Sequence, residues 1–149
     1  DEYVRRLAAV QALAQACSLP LVVDAYDHAA WLQWISGLEA EPERGARCRR
    51  CFEFSLRRAA AYARDHGFEA LTTSLSVSPH KDTATIVAAG RAATPSFFDV
   101  DLKHEDGFQR SLELSRRYGL YRQSYCGCEF SLAERDRRRA RRRPRETQG

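Results

Sequence analysis

The chain has 149 residues, 44% of them apolar and 30% charged, which suits one globular domain with its own core and excludes a fibrous or low-complexity polypeptide. No apolar run approaches the ~20 residues that a bilayer span requires. The five cysteines are odd in number and fall mostly into short local pairs, so a secreted disulfide framework is not expected and a reducing cytoplasm is. The net charge of +4 is unevenly placed. From Glu134 to Gly149 eight arginines face three acids, a composition that suits phosphate backbones or a solvated terminus.

In chain order, Tyr3, Leu7, Val10, Ala14 and Cys17 recur at helical spacing and predict a helix over 2–17. The chain opens with that helix under way and contains no methionine, so a preceding segment is expected. Leu21-Val22-Val23 reads as a short strand. Asp27 caps a helix carrying Trp31, Leu32 and Ile35. Another helix runs from Cys48 to about Asp65, closed by His66-Gly67. Strand-like segments at Ala70–Leu75 and Phe97–Val100 flank a helix through Ile86 and Val87, and a last helix covers Phe108 to Tyr118. The alternation predicts an α/β domain over 1–132, with a mostly parallel sheet and helices on both faces. An arginine-rich tail follows over 133–149, expected as disordered or a frayed helix.

Two cysteine pairs carry the chemistry. Cys48-Arg-Arg-Cys51 sits at a helix start beside Arg47, Arg49 and Arg50, where amides and cations favour thiolates. It reads as half of a metal or cluster site, as a thioredoxin-like redox pair, or as buried thiols. Cys126-Gly-Cys128 is too cramped to give both ligands to one tetrahedral metal. It reads instead as a strained, easily exchanged redox pair. Cys17 reads as a core residue. Thr72-Thr73-Ser74 with His80 and Lys81 has the make-up of an anion cradle, or of ordinary strand ends and caps. Asp99, Asp101 and Lys103 follow the third strand. Tyr121, Arg122, Gln123 and Tyr125 surround the second pair and suit stacking on an unpaired base, or packing against the last helix.

Taken together, four ordered motifs resemble the QueH-type epoxyqueuosine reductases. They are Arg47–Glu53, Thr72–Asp82, Gly107–Ser111 with Glu113 to Ser115, and Tyr118–Cys128. The resemblance implies a HUP-like three-layer fold and the last step of queuosine synthesis, in which epoxyqueuosine in tRNA loses its epoxide oxygen as water. It implies that Cys48 and Cys51 are ligands of a 4Fe-4S cluster and that Cys126 and Cys128 form a redox-active disulfide. The family's N-terminal Cys-Cys-x-x-Cys segment and first strand have no counterpart here, so the remaining ligands are expected from a missing N-terminal segment. The implied partners are the tRNA anticodon loop and an external electron donor. His80, Asp101 and Tyr125 are the candidate proton donors, and Lys81 and Arg122 are candidate substrate contacts. Two other readings are a nonenzymatic zinc-stabilised RNA-binding module and an inactive fragment of the reductase.

Overall fold

The protein is described by a computed structural model over residues 1–142; the rest of the arginine-rich tail, 143–149, lies outside the described residues. The elements are α1 (Glu2–Ala16), α2 (His28–Trp34), α3 (Ala46–Asp65), a 3₁₀ turn (Ser74–Val77), α4 (Thr83–Ala93), α5 (Gly107–Arg117) and α6 (Glu129–Arg142). They fall into two compact units, one of residues 1–21 with those from Tyr118 on, the other of Val22–Arg117.

The larger unit is built on α3 and α4. Cys48, Phe52, Leu56 and Ala60 recur every fourth residue and form one buried stripe of α3. Phe52 and Leu56 pack with Ile86 and Ala89 of α4, and Leu75, Ala93 and Phe97 close over them. Each such large apolar side chain contributes about 1.5–3 kcal/mol when fully buried. Side-chain caps set the helix starts. Asp27 accepts the Ala30 N–H at 2.9 Å, and Asp82 accepts the Ala84 N–H at 3.1 Å and the Thr85 hydroxyl at 2.5 Å. The Thr85 hydroxyl is the main reason the Asp82 carboxyl is held below its usual range.

The expected three-layer α/β fold with a parallel sheet is not what the structure shows. Among the described residues the strand-like segments meet at one parallel bridge, Leu71 with Phe97. It is made by the Leu71 N–H on the Ser96 carbonyl at 3.1 Å and the Phe98 N–H on the Leu71 carbonyl at 2.7 Å. The reason is local. The Thr73 side chain caps the following turn by accepting the Leu75 N–H at 3.2 Å, and the backbone coils into the 3₁₀ turn before a second ladder step can form. Leu21-Val22-Val23 pairs with no strand and stays exposed. Beyond it Arg58 ties the chain to α3, bonding Asp24 Oδ2 at 2.6 Å and the Ala25 carbonyl at 2.9 Å. An apolar run supplies side chains for a sheet but not the neighbouring strand that satisfies its amides.

In the smaller unit α1 buries no residue fully, and Cys17, expected in the core, is exposed. The polar contacts that tie α1 to the segment after Tyr118 are described below. The helix α6 starts at Glu129 and continues to Arg142, covering the described part of the tail.

Gly90 tests the α4 packing by the sign of its effect. Its position lies against the Phe97 ring, which an added Cβ would meet at 2.4–2.5 Å. An exposed helical Gly→Ala change stabilises by up to about 1 kcal/mol, whereas overpacking costs about 1–3 kcal/mol. Gly90→Ala is therefore expected to lower stability by roughly 1–2 kcal/mol, read from the denaturant midpoint. An increase would show that Phe97 is not seated against α4.

Candidate functional site

The candidate residues fall in both units. In the larger unit the first two turns of α3 present Cys48 and Cys51. Because they are three residues apart, Cys48 lies on the buried stripe while Cys51 is half-buried. The Cys48 Sγ accepts the Arg44 N–H at 3.2 Å. The basic neighbours have differing places. Arg47 is buried and turned onto the Glu39 carbonyl at 2.9 Å and the Glu41 carbonyl, so it braces the entry loop. Arg50 lies over the Trp34 ring at 4.0 Å and pairs with Glu53 at 3.0 Å, while the Trp34 indole N–H bonds the Arg50 carbonyl at 2.8 Å. Arg49 is exposed.

Lys81 reaches from the loop before α4 to place its ammonium 5.3 Å from the centre of the Phe52 ring, one turn beyond Cys48. Lys103 fixes that loop, donating to the Lys81 carbonyl at 3.1 Å and the Thr83 hydroxyl at 2.7 Å. His80 and Asp101 are exposed, and the Asp101 carboxylate accepts the Lys103 N–H at 3.0 Å. No group of three or more His, Cys, Asp or Glu side chains that could hold a metal ion occurs among the described residues. The chemistry of the α3 pair, two thiols about one helical turn apart near a helix N-terminus, fits part of an iron–sulfur ligand set and would leave two of the usual four ligands to come from elsewhere.

In the smaller unit Cys126-Gly-Cys128 leads directly into α6. The Cys128 carbonyl accepts the Leu132 N–H at 3.0 Å, and its Sγ accepts the Ser131 N–H at 3.4 Å, so Cys128 is the N-cap of α6. Ser131 is buried, and its hydroxyl receives the Gly127 N–H at 3.2 Å and donates to the Cys128 carbonyl at 2.9 Å. From α1, Arg6 donates to the Cys126 carbonyl at 2.8 Å and the Tyr125 carbonyl at 3.4 Å. Arg135 lies 4.8 Å from the centre of the Tyr125 ring and bonds the Ser124 hydroxyl at 2.8 Å. Arg122 is exposed.

Glu2 is the hub of this network. It accepts the Arg6 Nε at 2.9 Å and the Tyr121 hydroxyl at 2.7 Å, and it also engages the Tyr125 phenol. Burial works to raise its carboxyl, but the hydrogen bonds from Tyr121, Arg6 and Tyr125 and the Arg6 charge outweigh it and hold Glu2 below the usual range. Tyr125 moves the other way. Burial first, then the Glu2 charge, raises its phenol above the ordinary value. Glu2, Arg6, Ser131 and Arg135 were not among the residues the sequence pointed to. Ser131 stands three residues after Cys128, but cysteine is not among the usual N-cap residues, so that spacing carries no cap signal.

The family model for epoxyqueuosine reductase QueH matches residues 1–134. Curated relatives called epoxyqueuosine reductase QueH occur in Haemophilus influenzae, 37% identical over 89% of this chain and 56% of the relative, and in Acinetobacter baylyi, 36% identical over 91% and 65%. Another, from Thermotoga maritima, is 34% identical over 94% of this chain and 77% of the relative. The chain thus spans between about half and three quarters of the length of these relatives.

The depressed Glu2 carboxyl makes the stability of this network pH-dependent. Its ionised form is favoured in the fold, so its contribution is present above the unfolded value of about 4.3 and is lost as pH falls through the lower folded value. Glu2→Gln is expected to lower stability at pH 7 by about 1–2 kcal/mol. The difference from wild type should shrink on acidification through that window. Denaturant titrations at pH 7, 5, 4 and 3 check this; a difference that does not change with pH would remove the charge from the account.

Proposed function

We propose, from the premise that the chain belongs to the QueH family of epoxyqueuosine reductases, that it is part of an enzyme that reduces epoxyqueuosine to queuosine in tRNA. Two electrons and two protons enter, both epoxide C–O bonds open, a carbon–carbon double bond forms and the oxygen leaves as water. The observation that carries this reading is the Cys126-Gly-Cys128 loop, held between Arg6 and the head of α6 within the residues that match the family.

Cys48 and Cys51 would supply two thiolate ligands to a 4Fe-4S cluster, with the remaining ligands from outside the described residues. Bound there, the cluster would supply electrons singly to a two-electron reduction. The chain's own residues do the rest. The two electrons that a cluster would pass on singly, and both protons of the reaction, come from Cys126 and Cys128 as they close a disulfide. The proton donor relays one of those protons to the oxygen, and an external electron donor then reopens the pair. Tyr125 is our choice of proton donor among the three candidates. Its phenol stays protonated and is adjacent in sequence to Cys126, whereas the Asp101 carboxylate is engaged by the Lys103 backbone.

The substrate nucleotide lies in a tRNA anticodon loop, where single-stranded RNA offers unstacked bases. Arg137, Arg139, Arg141 and Arg142 of α6 would contact its phosphates. The setting is the reducing cytoplasm, which maintains thiols.

The full-length enzyme containing this chain, made anaerobically, should carry iron and sulfide and convert epoxyqueuosine-tRNA to queuosine-tRNA. Cys48→Ser or Cys51→Ser should lose the cluster absorbance. Cys128→Ser should abolish turnover and keep it. Stoichiometric zinc without iron, or no conversion by cluster-loaded enzyme, would overturn the assignment.

Replacing Arg137, Arg139, Arg141 and Arg142 together by Ala should weaken tRNA binding and flatten its logarithmic salt dependence by nearly one for each phosphate no longer neutralised. An unchanged slope would remove α6 from the RNA interface.

A further inference from the structure

One peptide plane in the redox loop is held at both edges. The carbonyl of Cys126 receives Arg6 Nη2 at 2.8 Å, and the N–H of the same peptide, that of Gly127, donates to the Ser131 hydroxyl at 3.2 Å. Arg6 is itself fixed, because its Nε bonds Glu2 at 2.9 Å and the other Glu2 oxygen takes the Tyr121 hydroxyl at 2.7 Å. The guanidinium also lies close beside Gly127. A Cβ on Gly127 would stand 2.4 Å from Arg6 Nη2 and 2.7 Å from its Cζ. Gly127 has φ +124°, a region open mainly to glycine. The left-handed φ disfavours a side chain there, and any side chain would also have to displace the Arg6 guanidinium.

The sulfur of Cys128 is held as well. It accepts the Ser131 N–H at 3.4 Å and lies 3.5 Å from the Ser131 hydroxyl. Cys126 and Cys128 are not joined to each other in this arrangement. Closing a disulfide requires the two sulfurs to meet at about 2.05 Å with a dihedral near ±90°. With one residue between the cysteines, the ring closed by that bond contains the pinned Cys126–Gly127 peptide and its neighbour, so closure sets the torsions on either side of them. Oxidation therefore works against the hydrogen bonds from Arg6 and to Ser131. It also removes the thiol proton that Cys128 can share with Ser131.

We propose that Arg6 is a positioning residue that holds the Cys126–Gly127 peptide in the geometry of the dithiol and thereby makes the pair a stronger oxidant, readily kept reduced until the substrate arrives. This rests on the reading of Cys126 and Cys128 as the redox pair. The residue touches neither the epoxide nor the transferred electrons; it acts through the backbone of the loop.

The test is an anaerobic equilibrium titration of the full-length enzyme in buffers of oxidised and reduced dithiothreitol. The reaction is a balanced exchange. The reagent's S–S bond breaks, one forms between Cys126 and Cys128, and both thiol protons pass to the reagent. Differential alkylation and mass spectrometry of the peptide holding both cysteines read the oxidised fraction. Arg6→Ala should shift the equilibrium about tenfold toward the disulfide, close to 30 mV more negative. Arg6→Lys, which keeps the charge but cannot grip Glu2 and the carbonyl at once, should fall between Arg6→Ala and wild type. Ser131→Ala releases the other edge of the same peptide and leaves α1 intact, so it should shift the equilibrium the same way even where Arg6→Ala does not fold. Wild type titrating normally while Arg6→Lys and Ser131→Ala both stay within twofold of it would overturn the proposal. A wild-type pair that forms no disulfide at any ratio would overturn the redox reading itself, and this proposal with it.

Discussion

The seating of Phe52 and Leu56 of α3 against Ile86 and Ala89 of α4 fixes most of what the larger unit can do. The four-residue repeat that buries Phe52 and Leu56 also carries Cys48 inward, so the position of that thiol is a by-product of apolar packing. Cys51, three residues on, is turned off the stripe and stays half-buried. The two sulfurs thus differ in access although they share one helical turn. The same packing draws the loop before α4 toward α3, which places the Lys81 ammonium over Phe52. Lys103 then holds that loop through a carbonyl and a hydroxyl. A change in the apolar packing would therefore move the charged groups of this unit as well.

The smaller unit is held by a different kind of force. Its helix α1 buries nothing fully, and large apolar residues such as Val4 and Val10 face solvent. What ties α1 to the chain after Tyr118 is a set of hydrogen bonds converging on Glu2 and Arg6. Hydrogen bonds to charged groups contribute about 1.5–3 kcal/mol each, and here they act beside apolar side chains such as Leu7 and Leu13 that are only half-buried. Part of the unit's stability therefore rests on the ionisation of one carboxylate, which the phenols and the guanidinium hold in its charged form against the effect of burial.

Helices were legible in the sequence because their signals are local. Asp27 and His66 each mark a helix boundary within a residue or two. Strands were not, since a strand exists only by pairing with a distant segment, and nothing in Leu21-Val22-Val23 says whether a neighbour is present. Thr73 shows the competing effect: a hydroxyl that caps a 3₁₀ turn ends the pairing that Leu71 begins. The cysteine pairs were visible because their spacing is itself the signal. Arg6 meets its loop across 120 residues of sequence, and no periodicity encodes such an encounter. Ser131 was concealed differently, because cysteine is not among the usual N-cap residues and the spacing from Cys128 therefore did not register as a cap.

These observations make α6 more than the start of a basic tail. Its N-cap is Cys128, its third residue fixes Cys128 and Gly127, and its later turns carry the arginines. From Cys128 to Arg142 the helix rises roughly 21 Å at 1.5 Å per residue. A helix is stiff over that length, so phosphates gripped along it would set the distance and angle at which an unstacked base meets the sulfurs. Arginine–phosphate pairs of this kind carry no sequence information, but on a rigid element they position. In the proposed reaction that positioning would matter as much as affinity, because an electron pair held by a pinned loop is useful only to an epoxide brought to a defined place beside it.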